Sequence, residues 1–235
     1  MPRSIEVHVI ALASKWATRG RPTTDHFQKA GLVVHRFDAV TPADFDQKVD
    51  GFVHPQVGAI IDGGWQRDVP ADLSHINQVA CALSHYALWR RCIELDRPII
   101  VAEDDSLPAN MARRLQDLAS APPDADLVLL QCMATEFHSH SVPNNVCRKV
   151  DKFWGASCYY LTPTGAAKMI RFAIPVVMHV DAYMARCLGA GLVRAYSVRG
   201  ATDQTHEGST LMHSGFLSVT TVRRAFWLGV MGVAI

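Results

Sequence analysis

Short, continuously apolar runs recur along this chain and alternate with helical patterns. Ile5-Glu6-Val7-His8-Val9-Ile10-Ala11-Leu12, Leu32-Val33-Val34-His35-Arg36-Phe37 and Ile99-Ile100-Val101-Ala102 are rich in β-branched residues and read as strands. Leu127-Val128-Leu129-Leu130, within Asp126 to Cys132, and Ser157 to Leu161 read the same way, and Leu192 to Val198 is strand-like. A strand that is apolar throughout must be covered on both faces. Helices on both sides of a mostly parallel sheet satisfy that demand, so the expected class is an α/β layered fold.

The intervening helices have their own signals. Thr23 to Ala30 reads as a short helix stopped by Gly31. Ile76, Val79, Leu83, Tyr86, Trp89 and Ile93 recur every three or four residues and form one stripe of a long helix. Ser74 stands at its N-cap, and Arg90 and Arg91 lie near its end, where cations suit the helix dipole. Met111, Leu115 and Leu118 mark another helix, ended before Pro122-Pro123, and Thr162-Pro163 opens one through Phe172. Residues 41–73 hold glycines, prolines and acids with weak periodicity and read as irregular structure, a candidate flap. With no internal repeat, residues 1–235 read as one domain ending in a tail, 214–235.

Composition excludes several classes. Apolar residues are 49% and charged residues 19%, which is globular rather than disordered. A net charge of +1 gives no general attraction to nucleic acid or anionic membrane. Six cysteines without a C-x-x-C pair, mostly inside apolar runs, read as free thiols in a reducing compartment, so a cytoplasmic location is expected. The first residues form no signal-peptide core, and no segment reaches the ~20 apolar residues that span a bilayer. The apolar stretch Phe226 to Ile235 reads as a packed end, or at most a peripheral membrane contact.

The chemistry concentrates at Glu103-Asp104-Asp105, directly after an apolar strand. Ligands of such sheets bind outside the carboxyl ends of the strands. Extended backbone would send Glu103 and Asp105 to one side and Asp104 to the other. Two carboxylates on one side seat a hard divalent cation such as Mg²⁺ or Mn²⁺, which can neutralise a diphosphate. The alternatives are a solvated acidic turn, or pairing with Arg113 and Arg114. Asp181, beside the run Pro175 to Val180, suits a general base, and equally a helix N-cap. Ser84 and His85 diverge as neighbours on a helix, so they read as buried hydrogen-bonding groups beside the acids or as donor contacts. His138 and His140 lack a matching pair and read as acceptor-side or solvent residues, and Trp154 and Tyr159 read as core, with stacking on a sugar the alternative.

Ala80-Cys81-Ala82-Leu83-Ser84-His85-Tyr86-Ala87-Leu88-Trp89, followed by the strand ending in Glu103-Asp104-Asp105, resembles the signature of glycosyltransferase family 25. That family includes lipooligosaccharide galactosyltransferases and is related to the collagen galactosyltransferases. Val9 to Leu12 with Arg19 or Arg21 after it, Phe37-Asp38-Ala39-Val40, Phe153 to Leu161 and Val180-Asp181 extend the resemblance. The chain departs from the pattern at Ala11, where the family usually has Asn, and at Ser14-Lys15-Trp16.

The resemblance implies a GT-A-like fold and transfer of galactose or glucose from a UDP-sugar to a glycan or glycoconjugate, with inversion. Mn²⁺ or Mg²⁺ would be held by Asp105, by Glu103 directly or through water, and by a late histidine, His206, with His213 the spare. Ala11, Leu12, Arg19, Asp38, Ala39, Ser84 and His85 would line the donor site, with Asp104 facing the ribose or sugar and Asp181 acting as base. A metal-dependent phosphoesterase and a non-catalytic nucleotide-sugar-binding module are the rival readings of the same acids.

Overall fold

The computed structural model describes residues 5–44, 75–137, 146–176 and 178–203. The expected flap beyond residue 44, Ser74, His138, His140, His206, His213 and the tail lie outside the described residues.

Among the described residues eight strands form one sheet: β1 (Glu6–Ala11), β2 (Val33–Asp38), β3 (Ile99–Glu103), β4 (Leu127–Gln131), β5 (Ala134–Phe137), β6 (Cys147–Trp154), β7 (Cys158–Leu161) and β8 (Ala195–Val198). The flanking helices are α1 (Arg21–Lys29), α2 (His75–Leu95), α3 (Met111–Leu118), α4 (Pro163–Ile170) and α5 (Val180–Gly189). The class is mixed α/β, and the strand order is β2-β1-β3-β7-β4-β8-β6-β5.

The expectation of a mostly parallel sheet is corrected. Three pairings are parallel, β1 with β2, β1 with β3 and β4 with β8, and four are antiparallel. The cause is local. Six strands run in one direction, but β7 and β6 run against them and lie between them, so each creates two antiparallel contacts. β3 and β4, which a parallel sheet would join directly, are instead bridged by β7, with Val101 opposite Tyr159 and Leu129 opposite the same residue.

The apolar runs form the core as their composition requires. β3 from Ile99 to Ala102 and β4 from Leu127 to Leu130 are fully buried. The long helix is present, but its buried face is rotated from the expected stripe. Ser84, His85, Leu88, Trp89 and Cys92 are the most deeply buried, while Ile76, Tyr86 and Ile93 are half-buried. Thr162 caps α4 through its hydroxyl, which accepts from Gly165 N at 3.0 Å. All six cysteines are free thiols. Among the described residues no helix is long and apolar enough to cross a membrane.

Candidate functional site

The carboxyl ends of β1 and β3 lie side by side, with Ile10 in register with Glu103. Asp38 at the end of β2 is in register with Ala11, and Ala39 N donates to Ala11 O at 3.0 Å. Ala11, Asp38, Ala39 and Glu103 therefore share one edge of the sheet. Ser84 ties α2 to the same edge: its hydroxyl accepts from Val40 N at 2.9 Å and donates to Ala80 O at 2.9 Å.

Beyond Glu103 the strand stops. Ser106 N donates to Glu103 O at 3.0 Å, closing a turn over Asp104 and Asp105. The alternation expected for extended backbone is thereby lost. Asp104 and Asp105 converge instead, and Arg19 Nη2 reaches Asp104 Oδ1 and Asp105 Oδ2, each at 2.7 Å. Among the described residues the alternative pairing with Arg113 and Arg114 is not formed. Arg113 binds Asp117, and the buried Arg114 binds Asp203 and the carbonyls of Ala109, Leu130 and Gly200. Arg114 is thus committed to holding the 200–203 segment.

Burial and like charge set the site's electrostatics. Glu103 is half-buried, and desolvation pushes its carboxyl well above the usual range, with Asp105, Asp181 and Asp104 adding repulsion and Arg19 opposing them. Asp104 is buried and pushed up to about 6 by desolvation, against the pull of Arg19 and a hydrogen bond from Leu12 N. Lys15 is a second, weaker counter-charge for Asp104. A group of anions under-compensated in this way is a place where an added cation is stabilising.

His85 connects this edge to the core. Its Nε2 lies 3.5 Å from Glu103 Oε1, and its Nδ1 lies 2.8 Å from the Tyr159 hydroxyl. Trp89 Nε1 donates to the same hydroxyl at 2.9 Å. Burial pushes the imidazole down to about 4, so it is neutral at physiological pH. Tyr159 is fully buried, whereas Trp154 is 38% exposed with the Lys152 ammonium over its ring, so only the first belongs to the core.

Asp181 comes to the site from α5. It does not cap the helix: His179 does, its Nδ1 accepting from Ala182 N at 3.3 Å. Asp181 stands in the first turn, and its Oδ1 accepts from Ala156 N at 3.2 Å, just ahead of β7. Its charge is felt by Glu103, Cys81 and His85. The structure so brings Ala11, Leu12, Arg19, Asp38, Ala39, Ser84, His85, Glu103, Asp104, Asp105 and Asp181 to one edge, while His206 lies outside the described residues.

Two features escaped the sequence reading. Tyr159 is the hydrogen-bonding partner of His85, which only the sheet register reveals. Cys81 lies with His85 and Glu103 in a group whose ligand atoms are all within 4.8 Å of one another. Its signal was the four-residue spacing to His85 on one helix face.

The donor set fits a divalent cation. Among the described residues Asp105 Oδ1 is buried without a hydrogen-bond partner, and the acids outnumber the cations that face them. A search of curated proteins finds no match to the chain. The sequence model of glycosyltransferase family 25, described as an LPS biosynthesis protein family, matches residues 4–184. That span covers most of the chain, including every strand-edge acid and Asp181, and the chain therefore belongs to glycosyltransferase family 25 and is a glycosyltransferase.

Proposed function

We propose that this transferase has a GT-A-like site and moves a hexose, galactose or glucose, from a UDP-sugar to a hydroxyl of a glycan or glycoconjugate, with inversion, in lipopolysaccharide-type biosynthesis. The observation that carries the reading is the under-compensated acid group at the carboxyl edge, with Asp105 Oδ1 left unpartnered among the described residues. Glu103 and Asp105 would hold Mn²⁺ or Mg²⁺, with His206 the candidate further ligand. Bound there, the ion supplies charge neutralisation for the departing diphosphate.

The chain's own groups account for the remainder. Ala11, Leu12, Asp38 and Ala39 supply the edge on which the nucleotide lies, and Arg19 offers a second positive charge to the phosphates. Asp104 is held by Arg19 and Leu12 N, and orients that arginine. Asp181 takes the proton of the acceptor hydroxyl. The freed oxygen bonds to the anomeric carbon as the bond from that carbon to the UDP oxygen breaks, and UDP leaves with the electron pair. One displacement of this kind inverts the anomeric centre. Free thiols throughout the chain support a reducing, cytoplasmic setting.

The family match favours transfer over the phosphoesterase and binding-module alternatives. The test is a thermal-shift screen of nucleotide sugars with and without Mn²⁺, since a ligand of the folded state raises the midpoint by mass action. UDP-galactose or UDP-glucose should shift the midpoint only with Mn²⁺, and Asp105→Ala should abolish the shift. If Asp105→Ala binds Mn²⁺ and UDP as well as the parent, the site assignment is wrong.

A further inference from the structure

We propose that Cys81, His85 and Glu103 form a second kind of metal site, one that takes a thiophilic divalent cation of the Zn²⁺ class. Sγ of Cys81, a ring nitrogen of His85 and a carboxylate oxygen of Glu103 lie within 4.8 Å of one another. The His85–Glu103 separation is 3.5 Å. Ligands of a tetrahedral zinc ion, bound at about 2.0–2.3 Å, are about 3.3–3.8 Å apart, so small side-chain rotations close the set. Cys81 and His85 are one helical turn apart on α2, and Glu103 meets them from the end of β3.

An independent observation points to a ligand. His85 is fully buried, yet its Nε2, aimed at Glu103, has no hydrogen-bond partner among the described residues. A buried ring nitrogen without a partner is costly, and a cation would satisfy it. Its other nitrogen is already anchored on the Tyr159 hydroxyl, which is the outer-shell contact that orients a ligating imidazole.

Trp89 Nε1 only donates, so Tyr159 oxygen accepts from it, and without metal the Tyr159 proton is directed to Nδ1 while Nε2 carries its own. Coordination selects the other neutral tautomer: Nε2 gives up its proton, Nδ1 takes one up and donates to the Tyr159 oxygen, and the Tyr159 hydroxyl turns its own proton away from the ring. The thiol of Cys81 gives its proton to solvent, as does Glu103 where it holds one. Burial and the neighbouring carboxylates disfavour a free thiolate at Cys81, and a bound cation inverts that preference. Three protein ligands leave the fourth tetrahedral position open.

A mixed sulfur, nitrogen and oxygen set selects zinc-like ions over Mn²⁺ and Mg²⁺, which prefer oxygen alone. The inference does not rest on the donor reading: the hard-ion site uses Asp105, and this one uses Cys81. They share Glu103, so one ion excludes the other.

The test is titration of the full, phosphine-reduced chain with Co²⁺, followed by competition with Zn²⁺. One equivalent of Co²⁺ should give a sulfur-to-cobalt charge-transfer band. Cys81→Ser should lose the band and weaken Zn²⁺ binding at least about tenfold, given that even outer-shell changes cost about 10- to 100-fold. Cys132→Ser should keep both. A band that survives in Cys81→Ser, or no Co²⁺ or Zn²⁺ binding by the parent, overturns the proposal. On the unaltered chain, one equivalent of Zn²⁺ should protect Cys81 from alkylation, read residue by residue by mass spectrometry. Equal labelling of Cys81 with and without Zn²⁺ overturns the proposal whether or not the variant folds.

Discussion

Arg19 Nη2 lies 2.7 Å from Asp105 Oδ2, and the same nitrogen is equally close to Asp104. The arginine is the stronger of the two counter-charges that face Asp104, Lys15 being the weaker. It arrives from the short π-helical turn Trp16–Gly20 that joins β1 to α1, so its position depends on that turn. Arg19→Gln should lower metal-free stability by about 1–3 kcal/mol, less than a fully buried pair because all three side chains keep some solvent contact. The same change removes a competitor for Asp105, so Mn²⁺ should raise the variant's melting midpoint by more than the parent's. Parallel thermal melts with and without Mn²⁺ check this, and a smaller metal-induced shift in Arg19→Gln would count against the pairing.

Asp181 is held by Ala156 N through Oδ1. Asn in its place keeps an oxygen for that contact but cannot take a proton. Asp181→Asn should therefore reduce kcat by about 10²- to 10⁴-fold, the usual contribution of a general base. Donor affinity in calorimetry should change little. A variant that keeps kcat but loses UDP-sugar binding would make Asp181 a donor contact instead.

His8, in the middle of β1, gives a stability effect away from the acid edge. Its ring stacks on His35 at 5.1 Å, and Glu6 Oε2 lies 4.0 Å from its Nε2. Burial, with repulsion from His35 second, pushes its pKa down from 6.5 to about 4, against the pull of Glu6. The unfolded chain then binds a proton that the native chain refuses. Stability is lost as the pH falls through that window, by roughly 3 kcal/mol in full. His8→Leu removes this loss while leaving the titration of His85 and the acids in both proteins. Urea unfolding at pH 7 and pH 4 should show the variant losing less stability than the parent. Equal losses would mean that His8 is protonated as readily in the native chain.

The strands were legible because a run such as Leu127 to Leu130, buried on both faces, leaves only apolar choices. Their directions were not. Nothing in Cys158 to Leu161 distinguishes a strand inserted backwards between β3 and β4 from one added at an edge. The hairpin β5–β6 lacked a signal because its strands, last in the sheet order, carry mixed polar residues such as Arg148, Lys149 and Lys152 between the buried Cys147, Val150 and Phe153. At the site, the acids stood out as a charge cluster, but their fan-out depended on where β3 stops. The turn after Glu103 swings Asp104 and Asp105 onto one arginine, and that is a tertiary choice. The rotation of the α2 face, which buries Ser84 and His85, also comes from packing: Ser84 and His85 are polar and match no hydrophobic period, yet each finds a specific partner.

Tyr159 carries the last prediction. Its hydroxyl accepts from Trp89 Nε1 at 2.9 Å and pairs with His85 Nδ1 at 2.8 Å, all three side chains being buried. Tyr159→Phe keeps the ring and its stack on His85 but leaves two interior nitrogens unpaired. The cost of an unsatisfied buried group is about 1–3 kcal/mol, so the variant should lose about 2–4 kcal/mol in urea unfolding. Trp89→Phe removes one of those stranded donors. In a double-mutant cycle the two changes should therefore be less damaging together than their sum, with a coupling of about 1–2 kcal/mol. Strict additivity would mean that the Trp89–Tyr159 bond is absent in solution.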